Sequence, residues 1–97
     1  MKIVREALAG TLESSDLMVR IAPHPAGLEL VLQSEVMRQF GVQIEAVARD
    51  TLAKLEVEDA LVVIEDKGAL DCVIRARLQT AVQRAAEDWT AEWSALS

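Results

Sequence analysis

The stretch Ala60-Leu-Val-Val-Ile-Glu-Asp66 sets the framework of the fold. It is a compact apolar run rich in β-branched residues, which favour strands. The residues Asp66-Lys67-Gly68 that close it are of the types found in turns. We therefore predict an interior strand over residues 60–66, covered by other elements on at least one face.

Two segments before this run alternate between apolar and polar residues, the pattern of half-buried strands. In residues 16–22, one face carries Leu17, Val19 and Ile21. In residues 28–33, leucine stands at every second position. The intervening residues, APHPAG, are turn formers, so we predict that the two strands form a hairpin with a wide loop.

The first twelve residues are compatible with a strand or with a short helix. If residues 6–12 are extended, Ser14 and Ser15 occupy the tip of a hairpin. Glu13 and Asp16 flank these two serines. On turn chemistry alone, the two serines are an equivalent pair on an ordinary turn.

Two amphipathic helices flank the run at 60–66. We predict that Ser34 caps the first, which is about twenty residues long, and that Gly41 allows a close approach to the sheet. Its apolar series is Val36, Phe40, Ile44, Val47, Ala48, Thr51, Leu52 and Leu55. The series of the second helix is Leu70, Val73, Ile74, Arg77, Leu78, Ala81, Val82, Ala85 and Trp89.

These elements predict an α+β fold, a two-layer sandwich. A small, mostly antiparallel sheet of three or four strands would carry both helices on one face. The opposite face would be wet, in agreement with the polar residues Arg20, Glu29 and Gln33. We expect a single domain over residues 1–97, whose tail from about residue 87 continues the second helix or frays.

Composition and charge limit the kinds of partner that this protein is expected to bind. Apolar residues make up 52% of the chain, and the formal net charge is −6. Nucleic acid and membrane surfaces are therefore poor partners, and basic patches on other proteins are better ones. Neither a signal peptide nor an apolar run near the ~20 residues of a membrane span is present, so we expect a cytoplasmic protein.

The sequence offers no catalytic or metal-binding constellation. His24, with Ser14 or Ser15 and Asp16, supplies the residue types of a hydrolase triad, but the spacing is wrong and a solvated turn histidine is favoured. The single cysteine, Cys72, excludes an internal disulfide, and we predict it to be buried and unreactive. Catalytic residues and metal ligands are therefore both predicted to be absent.

The serine hydroxyls could still be substrates for another enzyme. Without a base nearby, a serine is a poor nucleophile, but on an exposed turn it is accessible to another enzyme. Asp16 would help such an enzyme to orient the hydroxyl or a bound metal. Arg75 and Arg77 either form an exposed basic spot or pair with carboxylates on the same face.

Three stretches together resemble the acyl carrier protein, or gamma subunit, of citrate lyase. They are AGTLESSD at 9–16, MVRIAP at 18–23 and DKGALDCVIRARL at 66–78. The resemblance extends from residue 9 to about residue 80. It contrasts with the helical fatty-acid carriers, whose attachment serine stands in an Asp-Ser-Leu sequence at a helix start.

The resemblance implies a non-catalytic carrier. A phosphoribosyl-dephospho-coenzyme A group would be joined through a phosphodiester to Ser14, with Glu13, Ser15 and Asp16 as the neighbouring turn. Ser15 takes a place that is variable, and often glycine, in the family. The partners implied are the alpha subunit, which exchanges acetyl for citryl on the thiol, the beta subunit, which cleaves the citryl thioester, and a prosthetic-group transferase.

Other interpretations compete with this one. The carrier subunit of malonate decarboxylase uses the same kind of prosthetic group. A small interaction module with an inert or phosphorylatable turn is a second alternative, and a small serine hydrolase that depends on His24 is a third. The docking surfaces and the roles of Trp89 and Trp93 are left open by the sequence.

Overall fold

The computed structural model describes residues 1–86, which form four strands and two helices. In chain order these are β1 (Ala7–Gly10), β2 (Leu17–Pro23), β3 (Glu29–Ser34), α1 (Met37–Lys54), β4 (Ala60–Asp66) and α2 (Asp71–Ala85). The α+β class is confirmed, and the open choice for the first twelve residues is settled by a strand at 7–10. The predictions for the tail from about residue 87, with Trp89 and Trp93, lie outside the described residues.

The sheet has the order β1-β2-β4-β3, with two antiparallel pairings and one parallel pairing between β3 and β4. The predicted hairpin of β2 and β3 is therefore wrong, because β4 lies between them. Residues 24–28 need only cross two strand spacings, roughly 10 Å, to pass over the end of β4. The His24 amide donates to the Asp59 carbonyl there, at 3.3 Å.

The most apolar strand is the most central one, as predicted for residues 60–66. On one face of β4, Ala60, Val62 and Ile64 are fully buried. On the same face of β2, Val19 lies opposite Ile64 and Ile21 lies opposite Val62, and both are fully buried, as is Leu17. Because β3 and β4 are parallel, a crossover must join them, and α1 provides it.

Both helices cover the same face of the sheet. Helix α2 packs on β1 and β2, while α1 packs on β3 and on α2. Ile74, Leu78 and Val82 of α2 are completely buried, and so is Leu52 of α1. The opposite face leaves Arg20, Glu29 and Gln33 exposed, as predicted.

The starts of the helices differ from the prediction. Ser34 is the last residue of β3, and Val36 precedes the first turn of α1. The apolar series of the two helices predict that Phe40 and Leu70 are buried, but these side chains are 47% and 69% exposed. The first turns of both helices extend past the core, so that burial begins at Gly41 and Ile74.

Gly41 does not serve the predicted approach to the sheet. A Cβ at this position would meet the Met37 side chain of the same helix at 3.1 Å.

Among the described residues, neither helix is both long and apolar enough to cross a membrane.

Candidate functional site

Ser14 and Ser15 are the central residues of a tight turn at the tip of the β1–β2 hairpin. The Asp16 amide donates to the Glu13 carbonyl at 3.2 Å, which closes the turn. Both serines are exposed, and the Ser14 hydroxyl makes no hydrogen bond to any residue within 1–86. The Ser14 hydroxyl is therefore presented to solvent on a closed backbone frame.

The two serines differ in backbone conformation. Ser15 has a φ of +65°, in the left-handed region that favours glycine. It stands third in the four-residue turn, the position at which a type II turn requires a positive φ. The amide of Ser15 also donates to the Lys67 carbonyl at 2.8 Å. Ser15 therefore shapes the turn, while Ser14 is the other exposed central residue and carries no such constraint.

Asp16 anchors the turn instead of facing a ligand. Its carboxylate accepts two hydrogen bonds from the Arg77 guanidinium, both at 3.0 Å. It also accepts from the Thr11 hydroxyl and from the Leu17 amide, each at 2.7 Å. These donors, Arg77 first, lower the pKa of Asp16 from 3.8 to about 2. Both carboxylate oxygens of Asp16 are occupied by donors of the protein itself. The structure therefore does not support the expectation that Asp16 orients a bound metal.

Gly10 makes room for this anchor. Its φ is +93°, and a Cβ there would lie 1.9 Å from the Leu17 carbonyl oxygen. The same Cβ would lie 3.4 Å from Cδ of Arg77. The bare backbone at Gly10 therefore lets the strands close at the tip and lets the Arg77 side chain pass to Asp16.

A second turn, residues 66–69, supports the first. The backbone of Lys67 exchanges hydrogen bonds with Ser15 and Asp16 at 2.8 and 2.9 Å. The buried carboxylate of Asp66 accepts from the amides of Gly68 and Ala69, both at 3.0 Å, and from the Ser34 hydroxyl at 2.7 Å. The end of β4 thus fixes the position of the serine turn.

The residues of the hypothetical hydrolase triad do not meet. His24 follows the last residue of β2, whereas Asp16 precedes the first, so the length of the strand separates them by roughly 26 Å. The His24 ring instead lies 3.2 Å from the Gly27 carbonyl and 3.6 Å from the Glu29 carboxylate. The only histidine of the sequence therefore stands beside neither serine.

Two further predictions are changed by the structure. Cys72 is exposed, not buried, because it lies in the protruding first turn of α2. Arg75 and Arg77 are both paired, but with other elements: Arg75 contacts Asp50 of α1 at 2.8 Å. Arg77 reaches across to the serine turn, as described above. The alternative of an isolated basic spot is therefore excluded.

Sequence reasoning missed Thr11 and the roles of Arg77 and Asp66 as supports of the site. One signal existed, because Arg77 is the one charged residue in the apolar series of α2. A charge on a buried stripe needs a partner. The partner lies sixty-one positions away in the sequence, and periodicity does not reveal such a contact.

A compact α+β body that presents two exposed serines on an anchored turn, with His24 at the far end of β2, is the arrangement of a carrier that other enzymes load. Known proteins agree. A family model described as malonate decarboxylase delta subunit (MdcD), of the acyl carrier type, matches residues 4–85. The citrate lyase acyl carrier protein of Rhodopseudomonas palustris is 70% identical over all 97 residues of both chains. That of an Enterobacter strain is 64% identical, again over the full length of both chains.

A solved structure shares the fold. One chain of a Pseudomonas malonate decarboxylase hetero-tetramer, crystallised with malonate, superposes with a TM-score of 0.75. It is 25% identical in sequence, and the match covers 84% of each chain. Both comparisons define the class as non-catalytic acyl carriers of multi-subunit complexes. Within that class, the chain belongs to the family of citrate lyase acyl carrier proteins.

Proposed function

We propose that this protein is the acyl carrier subunit of citrate lyase and that Ser14 is its attachment point. The group attached would be phosphoribosyl-dephospho-coenzyme A, joined through a phosphodiester to the Ser14 hydroxyl. When attached, this group supplies a thiol that holds the acyl group during the cleavage of citrate to acetate and oxaloacetate. The choice of Ser14 is supported by its exposed hydroxyl at the corner of an anchored turn.

The residues present fit a group attached in this way. The Ser14 hydroxyl is free of hydrogen bonds within residues 1–86, so modification would break no internal contact there. Asp16 is held by Arg77 and Thr11, so loading would not need to displace it. Ser15 is less suited, because its left-handed backbone and its bond to Lys67 serve the turn.

The partners proposed are the alpha and beta subunits of citrate lyase and the transferase that loads the carrier. A rigid body with one tethered thiol would present that thiol to successive sites at high effective concentration. This arrangement replaces free encounters with intramolecular ones, and it requires no catalytic group on the carrier itself.

The test is the intact mass of the protein, purified from the cytoplasmic fraction of its native host during fermentative growth on citrate. We expect an adduct of the size of a coenzyme A derivative. The Ser14→Ala variant should lack it, and the matched Ser15→Ala variant should retain it. An unmodified native protein, or an adduct that survives Ser14→Ala, would contradict the proposal.

The malonate decarboxylase carrier is the second candidate, because the family description and the solved relative both name that enzyme. Full-length identities of 70% and 64% to citrate lyase carriers favour the first candidate over a relative at 25%. The complex that co-purifies with the carrier decides between them. We expect it to cleave citrate, and a complex that only decarboxylates malonate would support the second candidate.

A further inference from the structure

An apolar groove opens beside the serine turn, between the first turns of α1 and α2. Its volume is about 590 Å³, within the range of small-molecule sites. The walls are formed by Val36, Phe40, Gln43 and Ile44 on one side and by residues 68–72 on the other. We call this the interhelix groove.

The interhelix groove starts next to the proposed attachment point. The amide of Ser15 is bonded to the carbonyl of Lys67, and the next residue, Gly68, is part of the wall. A Cβ at Gly68 would meet no atom within 4 Å, so the rim of the groove is open at this point. The groove wall therefore begins one residue along the chain from Lys67, the backbone partner of the serine turn.

The lining has the chemistry of a site for a flexible chain of methylene and amide units. Phe40 and Leu70 are large apolar side chains left 47% and 69% exposed, although burial of such surface is favourable. At the polar edge, the Gln43 amide lies 3.3 Å from the Asp71 carboxylate. Such a lining suits the pantetheine part of coenzyme A, which combines a geminal dimethyl group and methylene groups with two amides.

We infer that the interhelix groove is a resting site for the pantetheine arm of the carrier's own prosthetic group. This inference rests on the proposed function. The groove is open along its length, so the arm would be held weakly and released to the catalytic subunits. While it is held there, the arm would lie against Phe40 and Leu70 and cover part of their exposed apolar surface.

Cys72 provides a probe that the protein already contains. Its thiol is exposed and belongs to the groove wall. An arm that occupies the groove should therefore slow the alkylation of Cys72. If the arm is there two-thirds of the time, the rate should fall by about threefold.

The experiment compares the loaded full-length protein with the Ser14→Ala variant. The arm thiol is first blocked as its acetyl thioester, and both proteins are then treated with N-ethylmaleimide. Alkylation of the Cys72 peptide is followed by mass spectrometry, and intact mass shows the loading. We expect Cys72 to react about threefold more slowly in the loaded protein.

Two variants test whether Cys72 is protected from alkylation by an arm that lies in the interhelix groove. Phe40→Ser removes a groove wall and should bring the Cys72 rate of the loaded protein close to that of Ser14→Ala. Val42→Ser is the matched control, because Val42 lies on the same helix, is 86% exposed and is outside the groove lining. Val42→Ser should leave the protection unchanged.

The outcomes separate the two ideas. Equal Cys72 rates in a protein with a verified adduct would overturn the resting site and leave the carrier function intact. Protection that persists in Phe40→Ser would also overturn it, because the arm would then cover Cys72 from elsewhere. The absence of any adduct in the native protein would remove the carrier function and the resting site together.

Discussion

Ser14 and Ser15 carry the same side chain at adjacent positions, yet the backbone gives them different tasks. A φ of +65° at Ser15 costs an ordinary residue about 1–2 kcal/mol, and glycine avoids this cost. This cost gives a physical reason for the frequent glycine that the family resemblance implies at this place. Ser14 is not among the residues with a positive φ, which agrees with its proposed role as the attachment point.

Asp16 should make the stability of the protein depend on pH in a narrow acid range. Its pKa is lowered to about 2 in the folded protein, against 3.8 ordinarily. A lowered carboxylate pKa stabilises the fold fully above pH 3.8, and this contribution is lost as the pH falls through about 2. We expect Asp16→Asn to lower the denaturation midpoint at pH 7, with a difference from wild type that shrinks below pH 4.

The matched control is Asp50→Asn. Asp50 also pairs with an arginine, Arg75 at 2.8 Å, but its side chain is 45% exposed. Exposed pairs contribute little to stability, so this variant should change the midpoint much less. Urea denaturation from pH 7 to pH 2.5 measures both. An Asp16→Asn difference that stays constant over this range would show that the carboxylate charge is not what anchors the turn.

Among the elements, the β1–β2 hairpin positions the site, and it depends on a close approach of its strands at Gly10. The other side of β2 pairs with β4 along its whole length. The hairpin tip is therefore held by β4 through Lys67 and by α2 through Arg77. Three elements converge on one short turn, which explains how an exposed loop is kept in one shape.

Gly10→Ala should be strongly destabilising. The new Cβ would lie 1.9 Å from a backbone oxygen, at a φ of +93°. Backbone strain of this kind costs about 1–3 kcal/mol, and the clash adds to it. We therefore expect a loss of more than about 3 kcal/mol in the free energy of unfolding.

Gly27→Ala measures the conformational part of that loss, so the steric part at Gly10 is the difference between the two variants. Gly27 has a similar φ of +102°, but a Cβ there would meet no atom within 4 Å. We expect a loss of about 1–2 kcal/mol from conformation alone. Chemical denaturation of both variants gives the comparison. Equal losses would mean that the strands separate at Gly10 without cost.

At the scale of the whole molecule, charge is the main property available for recognition. The net charge of −6 is large for 97 residues. Arg75 and Arg77 do not form free basic sites on this surface, because both are paired with carboxylates. The surface should therefore dock on basic rims of its partner subunits, with electrostatic steering of the encounter.

This predicts that the carrier binds its catalytic subunits more weakly as salt is added. Exposed charges are screened within about 10 Å at 0.1 M salt and within about 3 Å at 1 M. Titration calorimetry of the carrier with the isolated alpha or beta subunit, from 0.05 to 0.5 M salt, measures the effect. Sodium sulfate, which strengthens apolar contacts, is a useful comparison with sodium chloride at equal ionic strength. An affinity that does not vary with either salt would exclude charge as the basis of docking.

The sequence by itself determined five of the six elements, all but β1, and most of their buried faces. Period-two alternation identified β2 and β3, the apolar run identified β4 as an interior strand, and helical spacing identified both helices. These signals are local, because each strand or helix must bury one face wherever it lies in the fold. The family resemblance rested on local motifs as well, and the comparisons with known proteins bear it out.

Only the tertiary structure decided which strand pairs with which and what supports the serine turn. The alternation in β2 and β3 is satisfied equally by a hairpin and by a sheet in which β4 separates them. Likewise, the sequence leaves the partner of Arg77 open, and the fold supplies Asp16 from sixty-one positions away. The apolar pattern of a sequence indicates that a residue is buried, but it does not identify the residues that pack against it. Those residues depend on long-range packing. On local sequence alone Ser14 and Ser15 are equivalent. The family resemblance favours Ser14, and the tertiary structure adds the left-handed backbone of Ser15.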